Sequence, residues 1–115
     1  MIGSTFTDNH AAIGGAIVTS SASFGTITNS TITGNTASGG PDIAGGGFAG
    51  SGWITITNST IVGNAAIGDN AYAGGIYASE ELTLINTIVA NNEAPLDENC
   101  HIEGTVGPET THNLE

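Results

Sequence analysis

The chain of 115 residues has no lysine and no arginine, and with 11 acidic residues its formal net charge is −11. A surface of that sign repels phosphate backbones and anionic bilayers, so nucleic acid is excluded as a partner. Charged residues make up only 10% of the chain, where about 25% is usual. The surface is therefore mostly neutral Ser, Thr, Asn and Gly rather than the carpet of carboxylates that goes with high-salt adaptation. No stretch approaches the roughly 18 apolar residues of a membrane span, and the first residues lack the basic start and apolar run of a signal peptide. Membrane insertion of this segment is not expected. The one cysteine, Cys100, cannot form an internal disulfide and reads as a small buried side chain or a free thiol. Helical periodicity is also missing, and 18 glycines are scattered too densely for helices.

What is present is repetition. Residues 25 to 35 read GTITNSTITGN and residues 54 to 64 read ITITNSTIVGN. Aligning the chain with itself puts Asn9, Asn35, Asn64 and Asn92 in one column with steps of 26, 29 and 28, and Asn29, Asn58 and Asn86 in a second with steps of 29 and 28. Phe6, Ile32, Ile61 and Val89 precede the first column by three places, and Ile27, Ile56 and Leu84 precede the second by two. The pairs Gly14-Gly15, Gly46-Gly47 and Gly74-Gly75 recur once per unit. Within a unit the β-branched residues alternate apolar and polar, as in Thr26-Ile27-Thr28 and Thr55-Ile56-Thr57, which is the period of a strand.

Short strands repeated every 26 to 29 residues predict an all-β solenoid of about three to four coils, each with three short strands and stacked about 4.8 Å apart. Like then lies over like. Asparagine suits such a column because its amide both donates and accepts, so a pile of amides can form a hydrogen-bonded ladder, whereas aspartate would pile up like charges. Both asparagine columns are read as ladders of this kind. The isoleucine columns fill the bore, the threonines face outward, and the glycine pairs mark corners with positive φ or close backbone approach. The repeats span 1–92. Residues 93–115 form an acidic, looped C-terminal segment, since Glu80, Glu81, Glu93, Asp97, Glu98, Glu103, Glu109 and Glu115 crowd the last part of the chain.

The segments NSTITGN, NSTIVGN, GGAI, GGIY and LTLINTIVANN resemble the repeats of right-handed parallel β-helix proteins of the pectin-lyase-like superfamily. Within it they are most similar to bacterial secreted and cell-surface repeat proteins, among them polymorphic outer-membrane-protein-like passengers. The resemblance covers roughly residues 3 to 92 and implies a right-handed parallel β-helix with scaffold roles for the asparagine columns and glycine corners. It also implies an extracellular or cell-surface location and a structural or adhesive role. The tail NCHIEGTVGPETTHNLE looks like the closing segment of such arrays, in which a second cysteine follows the HNL-like stretch. That cysteine is absent here, and STFTDN starts mid-repeat, so a fragment of a longer protein is expected. The other expectation is a subunit that stacks end to end with its copies through uncapped coils.

Catalysis on this fold would look different. Lyases of the superfamily use Arg or Lys, often beside Ca²⁺ held by clustered aspartates, and here Asp8, Asp42 and Asp69 are far apart in sequence. Glu80 and Glu81 would point to opposite faces of a strand, which does not suit the paired carboxylates of glycoside hydrolysis. No catalytic residue, cofactor or metal site is assigned. Asp69-Asn70 and Asp97-Glu98-Asn99 offer oxygen ligands without the spacing of a calcium loop, and His10, His101 and His112 stand alone. The candidate contact surface is the threonine pair of successive coils, Thr26, Thr28, Thr55 and Thr57, with Thr83 in the coil after. Regular Thr-x-Thr rows of this kind suit either adhesion or ordered water at ice. Trp53 and Tyr77 are candidates for stacking on a sugar ring.

Overall fold

In a computed structural model, described for residues 1–40 and 42–111, the chain winds into a parallel β-solenoid of about four coils with extents of 33 × 24 × 21 Å. No helix occurs among the described residues. Each of the first three coils carries four short strands, one more than the sequence pattern suggested. The first coil holds β1 (Thr5–Thr7), β2 (His10–Ala11), β3 (Ile17–Thr19) and β4 (Phe24–Thr28). The second holds β5 (Thr31–Thr33), β6 (Thr36–Ser38), β7 (Phe48–Gly50) and β8 (Trp53–Thr57). The third holds β9 (Thr60–Val62), β10 (Ala65–Ile67), β11 (Ile76–Ala78) and β12 (Glu81–Ile85), and β13 (Ile88–Ala90), β14 (Cys100–Ile102) and β15 (Thr105–Val106) follow. Strands stack into four parallel sheets: β1-β5-β9-β13, β2-β6-β10, β3-β7-β11-β14 and β4-β8-β12-β15. The extra strand was hidden because one residue makes the corner between β5 and β6. Gly34, at φ 67°, turns the chain inside what reads as a continuous β run.

Two of the four corners obey the same rule. A residue in the left-handed region turns the chain, and the next residue points inward. Between the first two strands of a coil the turning residues are Asp8, Gly34, Gly63 and Asn91, followed by Asn9, Asn35, Asn64 and Asn92. Between the fourth strand and the next coil they are Asn29, Asn58 and Asn86, with φ of 51°, 50° and 49°, followed by Ser30, Ser59 and Thr87. Asn tolerates this region better than other residues with a Cβ.

The first asparagine column is therefore an internal ladder, as expected. Asn35 Nδ2 donates to Asn64 Oδ1 at 2.9 Å, Asn64 Nδ2 to Asn92 Oδ1 at 3.0 Å, and Asn9 Nδ2 to Asn35 Oδ1 at 2.9 Å. The same oxygens accept the backbone N–H of the asparagine in the preceding coil, each at 3.0 Å. The second column is a correction. Asn29, Asn58 and Asn86 are exposed, because a residue that makes the corner aims its side chain outward. Their one amide-to-amide bond, Asn86 Nδ2 to Asn58 Oδ1 at 2.8 Å, lies at the surface. The inner ladder at that corner belongs to the hydroxyl residues after them: Ser30 N–H donates to Ser59 Oγ and Ser4 N–H to Ser30 Oγ, both at 3.2 Å.

Aliphatic columns fill the bore. Ile27–Ile56–Leu84, Ile32–Ile61–Val89, Ile17–Phe48–Ile76 and Ile54–Leu82 lie in register, and all but Ile17 are buried. Each such side chain contributes about 1.5 to 3 kcal/mol. The glycine corners are required by close approach: a Cβ on Gly46 would collide with the Gly74 carbonyl oxygen of the coil beyond. Strands continue past 92, where the sequence reading placed the end of the repeats. β14 pairs with β11 and β15 with β12.

The two asparagine columns predict opposite mutational outcomes. Asn64→Ala removes an acceptor from two donors of Asn35 in a buried site and should lower stability by at least about 2 kcal/mol. Asn58→Gly relieves a left-handed backbone and should be neutral or slightly stabilising. Urea unfolding of the two variants checks both, and equal losses would contradict the separation of the columns.

Candidate functional site

The outward faces of the sheets present what the chain can offer a partner. On the sheet built from β4, β8 and β12, Thr26 lies beside Thr55, and Thr28 beside Thr57. Thr26 is exposed and the other three are partly buried. Thr83 continues the first column but is only 6% exposed. The segment after β15 covers it: Gly107 N–H donates to the Leu82 carbonyl, and a Cβ on Gly107 would collide with the Thr83 hydroxyl. Thr83 is thus no surface residue, and Ile85 replaces threonine in the second column.

A larger array lies on the adjoining face. There Thr5, Thr31 and Thr60 align, with Thr7 and Thr33 beside them, and Val62, Ile88 and Ala90 complete the outward positions. No charged residue occurs among these eight, in a chain of net charge −11. The signal for it was the second Thr-Ile-Thr of residues 25 to 35. Once Asn29 turns the corner, the two triplets belong to different faces.

Phe24, Trp53, Tyr72 and Tyr77 also stand outside the bore. Trp53, 45% exposed, stacks on Phe24 with ring centroids 5.0 Å apart and planes 15° apart. The two residues occupy the same outward position in successive coils, and Phe24 is 83% exposed. Tyr77 stacks on His101 at 5.8 Å and 3°, and Tyr72 lies 5.2 Å from the same imidazole. His101 is not a lone loop residue. Its Nδ1 meets the Asp97 carboxylate and its Nε2 lies 4.0 Å from Glu103. Burial, reinforced by a hydrogen bond to Glu103 and by that carboxylate's charge, raises the Tyr77 pKa above 10.0.

Other sequence candidates stay apart. His10 Nε2 contacts Ser38 Oγ at 3.1 Å, Asp69 and Asn70 sit in an exposed turn, and His112 lies outside the described residues. Among the described residues no three His, Cys, Asp or Glu side chains converge on a point where a metal ion could bind. Cys100 packs, half-buried, against the bore. One residue was missed. Asn99 occupies the column of Gly47 and Gly75, as the register Phe48–Ile76–Cys100 shows. Its Oδ1 accepts Asn92 Nδ2 at 3.1 Å and Asn92 N–H at 3.2 Å, which ends the inner ladder. A side chain fits there because none of the described residues forms a further coil over it, and the break in the glycine column was the available signal.

Fold and surface together define a parallel β-solenoid of about four turns with outward hydroxyl rows. In comparison with known proteins, the chain matches no family model, no curated sequence and no solved structure.

An ultraviolet titration should find one of the two tyrosines ionising above the ordinary pH of about 10. In Glu103→Gln that transition should move down. The folded state holds the Tyr77 proton more tightly, so this contribution to stability is fully present below pH 10 and lost as pH rises through the raised pKa. Two transitions at the ordinary value would refute the contact. Asn99→Ala, which removes the acceptor for two donors of Asn92, should lower stability by about 1–3 kcal/mol.

Proposed function

We infer that the chain is a non-enzymatic structural and adhesive segment of a bacterial secreted or cell-surface protein of the pectin-lyase-like β-helix kind. The observation that carries the reading is the uncharged threonine face of β1, β5 and β9, which lies over a core whose polar corners are closed by side-chain ladders. Stacked coils supply length and rigidity, because each adds about 4.8 Å and is bonded along its edges to the coil before. The outward threonines supply contact area without charge. The absence of lysine and arginine leaves trypsin-like proteases no cleavage site in this segment, which suits an exposed location. The resemblance of NSTITGN, NSTIVGN and GGIY to surface-protein repeats supports the same place. A fragment of a polysaccharide-active enzyme whose catalytic residues lie elsewhere is the competing reading.

Beads coated with the chain should be retained on cultured epithelial cells or on glass carrying neutral polysaccharide. The Thr31→Glu/Thr60→Glu variant, with strands intact by circular dichroism, should lose most of that retention. Unchanged retention would remove this face from the proposal. Depolymerisation of any of the polysaccharides by the unaltered chain would favour the enzyme reading instead. A second reading, ice binding, draws on the regular spacing of the same threonine rows and predicts thermal hysteresis that the double variant abolishes.

A further inference from the structure

The repeated triplet Asn-Ser-Thr carries a feature that the scaffold does not account for. At residues 29–31 and 58–60 an asparagine is followed two places on by a threonine, with no proline between. No other asparagine of the chain has serine or threonine at that distance. This spacing is the acceptor signal for attachment of a sugar to asparagine, and it is used where the asparagine lies at the surface. Both asparagines meet that condition. Asn29 and Asn58 make corners at φ 51° and 50° and stand exposed. The inner-ladder residues Asn35 and Asn64 are buried, and Ala37 and Ala66 stand two places after them.

The third corner of the same column separates this signal from the needs of the fold. Asn86-Thr87-Ile88 keeps the left-handed asparagine and the inward hydroxyl, yet Ile88 stands in register with Thr60. The corner therefore accepts an apolar residue at the last position, and it does not itself demand Thr31 or Thr60. Within each triplet the side chains divide by direction. Ser30 and Ser59 are buried and serve the hydroxyl ladder, whereas Asn29, Thr31, Asn58 and Thr60 face outward. The amide nitrogens are free as well. Among the described residues neither Asn29 Nδ2 nor Asn58 Nδ2 donates a hydrogen bond, and Asn58 engages its neighbour through Oδ1, which accepts Asn86 Nδ2 at 2.8 Å.

We propose that Asn29 and Asn58 are acceptor sites for N-linked glycan, transferred by a glycosyltransferase from a sugar carried on a phosphate or diphosphate. In that transfer Nδ2 attacks the anomeric carbon C1 of the donor sugar. The C1–N bond forms, and the C1–O bond to the phosphate breaks with its electron pair leaving on the phosphate oxygen. One Nδ2 proton is released to balance it, and nothing is oxidised or reduced. The product keeps one N–H and the side-chain carbonyl, so the bond accepted by Asn58 Oδ1 survives. The glycan stands on the corner between the two threonine-bearing sheets, β4-β8-β12-β15 and β1-β5-β9-β13, and displaces nothing in the bore. The inference requires only that the chain meet such a transferase, and it stands whether or not the threonine face adheres.

The whole chain, secreted behind a cleavable signal from a eukaryotic host and mapped by glycopeptide mass spectrometry, provides the test. Glycan should be found on Asn29, on Asn58 or on both, and on no other asparagine. Thr31→Ala/Thr60→Ala should abolish it. So should Asn29→Gly/Asn58→Gly, which leaves the left-handed corners to a residue that adopts them freely. Ile88→Thr should create a new site at Asn86, which has the corner and lacks the hydroxyl. Trimming the glycan with an endoglycosidase should leave the circular dichroism unchanged. An unmodified secreted chain, or glycan on Asn35 or Asn64, would overturn the proposal. Glycan retained in the alanine variant, or no gain in Ile88→Thr, would overturn the part given to the threonines. A β signal missing from the glycosylated chain and restored by trimming would overturn the fit of sugar to corner.

Discussion

The hydrogen bond from a corner amide to a side-chain oxygen of the coil beyond is the interaction on which the solenoid depends. At the corners the backbone leaves the sheets, and its N–H groups lose their strand partners. Buried without replacements, such donors would each cost about 1–3 kcal/mol. Asn35 N–H and Asn64 N–H meet the Oδ1 of Asn64 and Asn92, and Ser30 N–H meets Ser59 Oγ. No buried side-chain nitrogen or oxygen among the described residues is without a partner. The aliphatic columns supply most of the favourable energy, but they are non-directional and would tolerate slippage. The ladders set the register, since an amide can meet an amide only where the asparagines coincide.

The same interaction explains how the array changes character near its end. A ladder with one direction of donation must finish on an acceptor, and Asn99 provides it from a different corner of the coil. Its column lies against the ladder in the full-length coils as well, where a Cβ on Gly47 or Gly75 would touch the amide of Asn64 or Asn92. In the last described coil the Asn99 amide takes the place that such a ladder amide fills elsewhere. A shortcut of that coil through Ala94 and Pro95 leaves one sheet a strand short.

Much of this was legible in the chain before any coordinates. The columns Ile27–Ile56 and Asn35–Asn64 were visible because stacking demands identity at equal spacing, and identity survives in a sequence. The number of strands per coil was less visible. A corner made by one glycine or asparagine in the left-handed region does not interrupt the polar–apolar alternation on which a strand is recognised. The ladder was read at Asn29 and Asn58 rather than at Ser30 and Ser59 for a related reason. Both residues recur with the same period, and periodicity alone does not say which one faces the bore. The position of Thr83 was hidden because the residues that bury it, Gly107 and its neighbours, carry no repeat signal.

By itself the sequence determined the period, the parallel stacking of like on like, the identity of the bore residues and the absence of fixed positive charge. Each follows from composition or from equal spacing, which are properties of a string. Only the tertiary structure decided which asparagine column is internal, which threonines remain at the surface, and where the fourth coil cuts across to meet Asn99. Those outcomes depend on the sign of φ at single residues and on what lies beyond the last coil, and neither is written in the alternation of side chains.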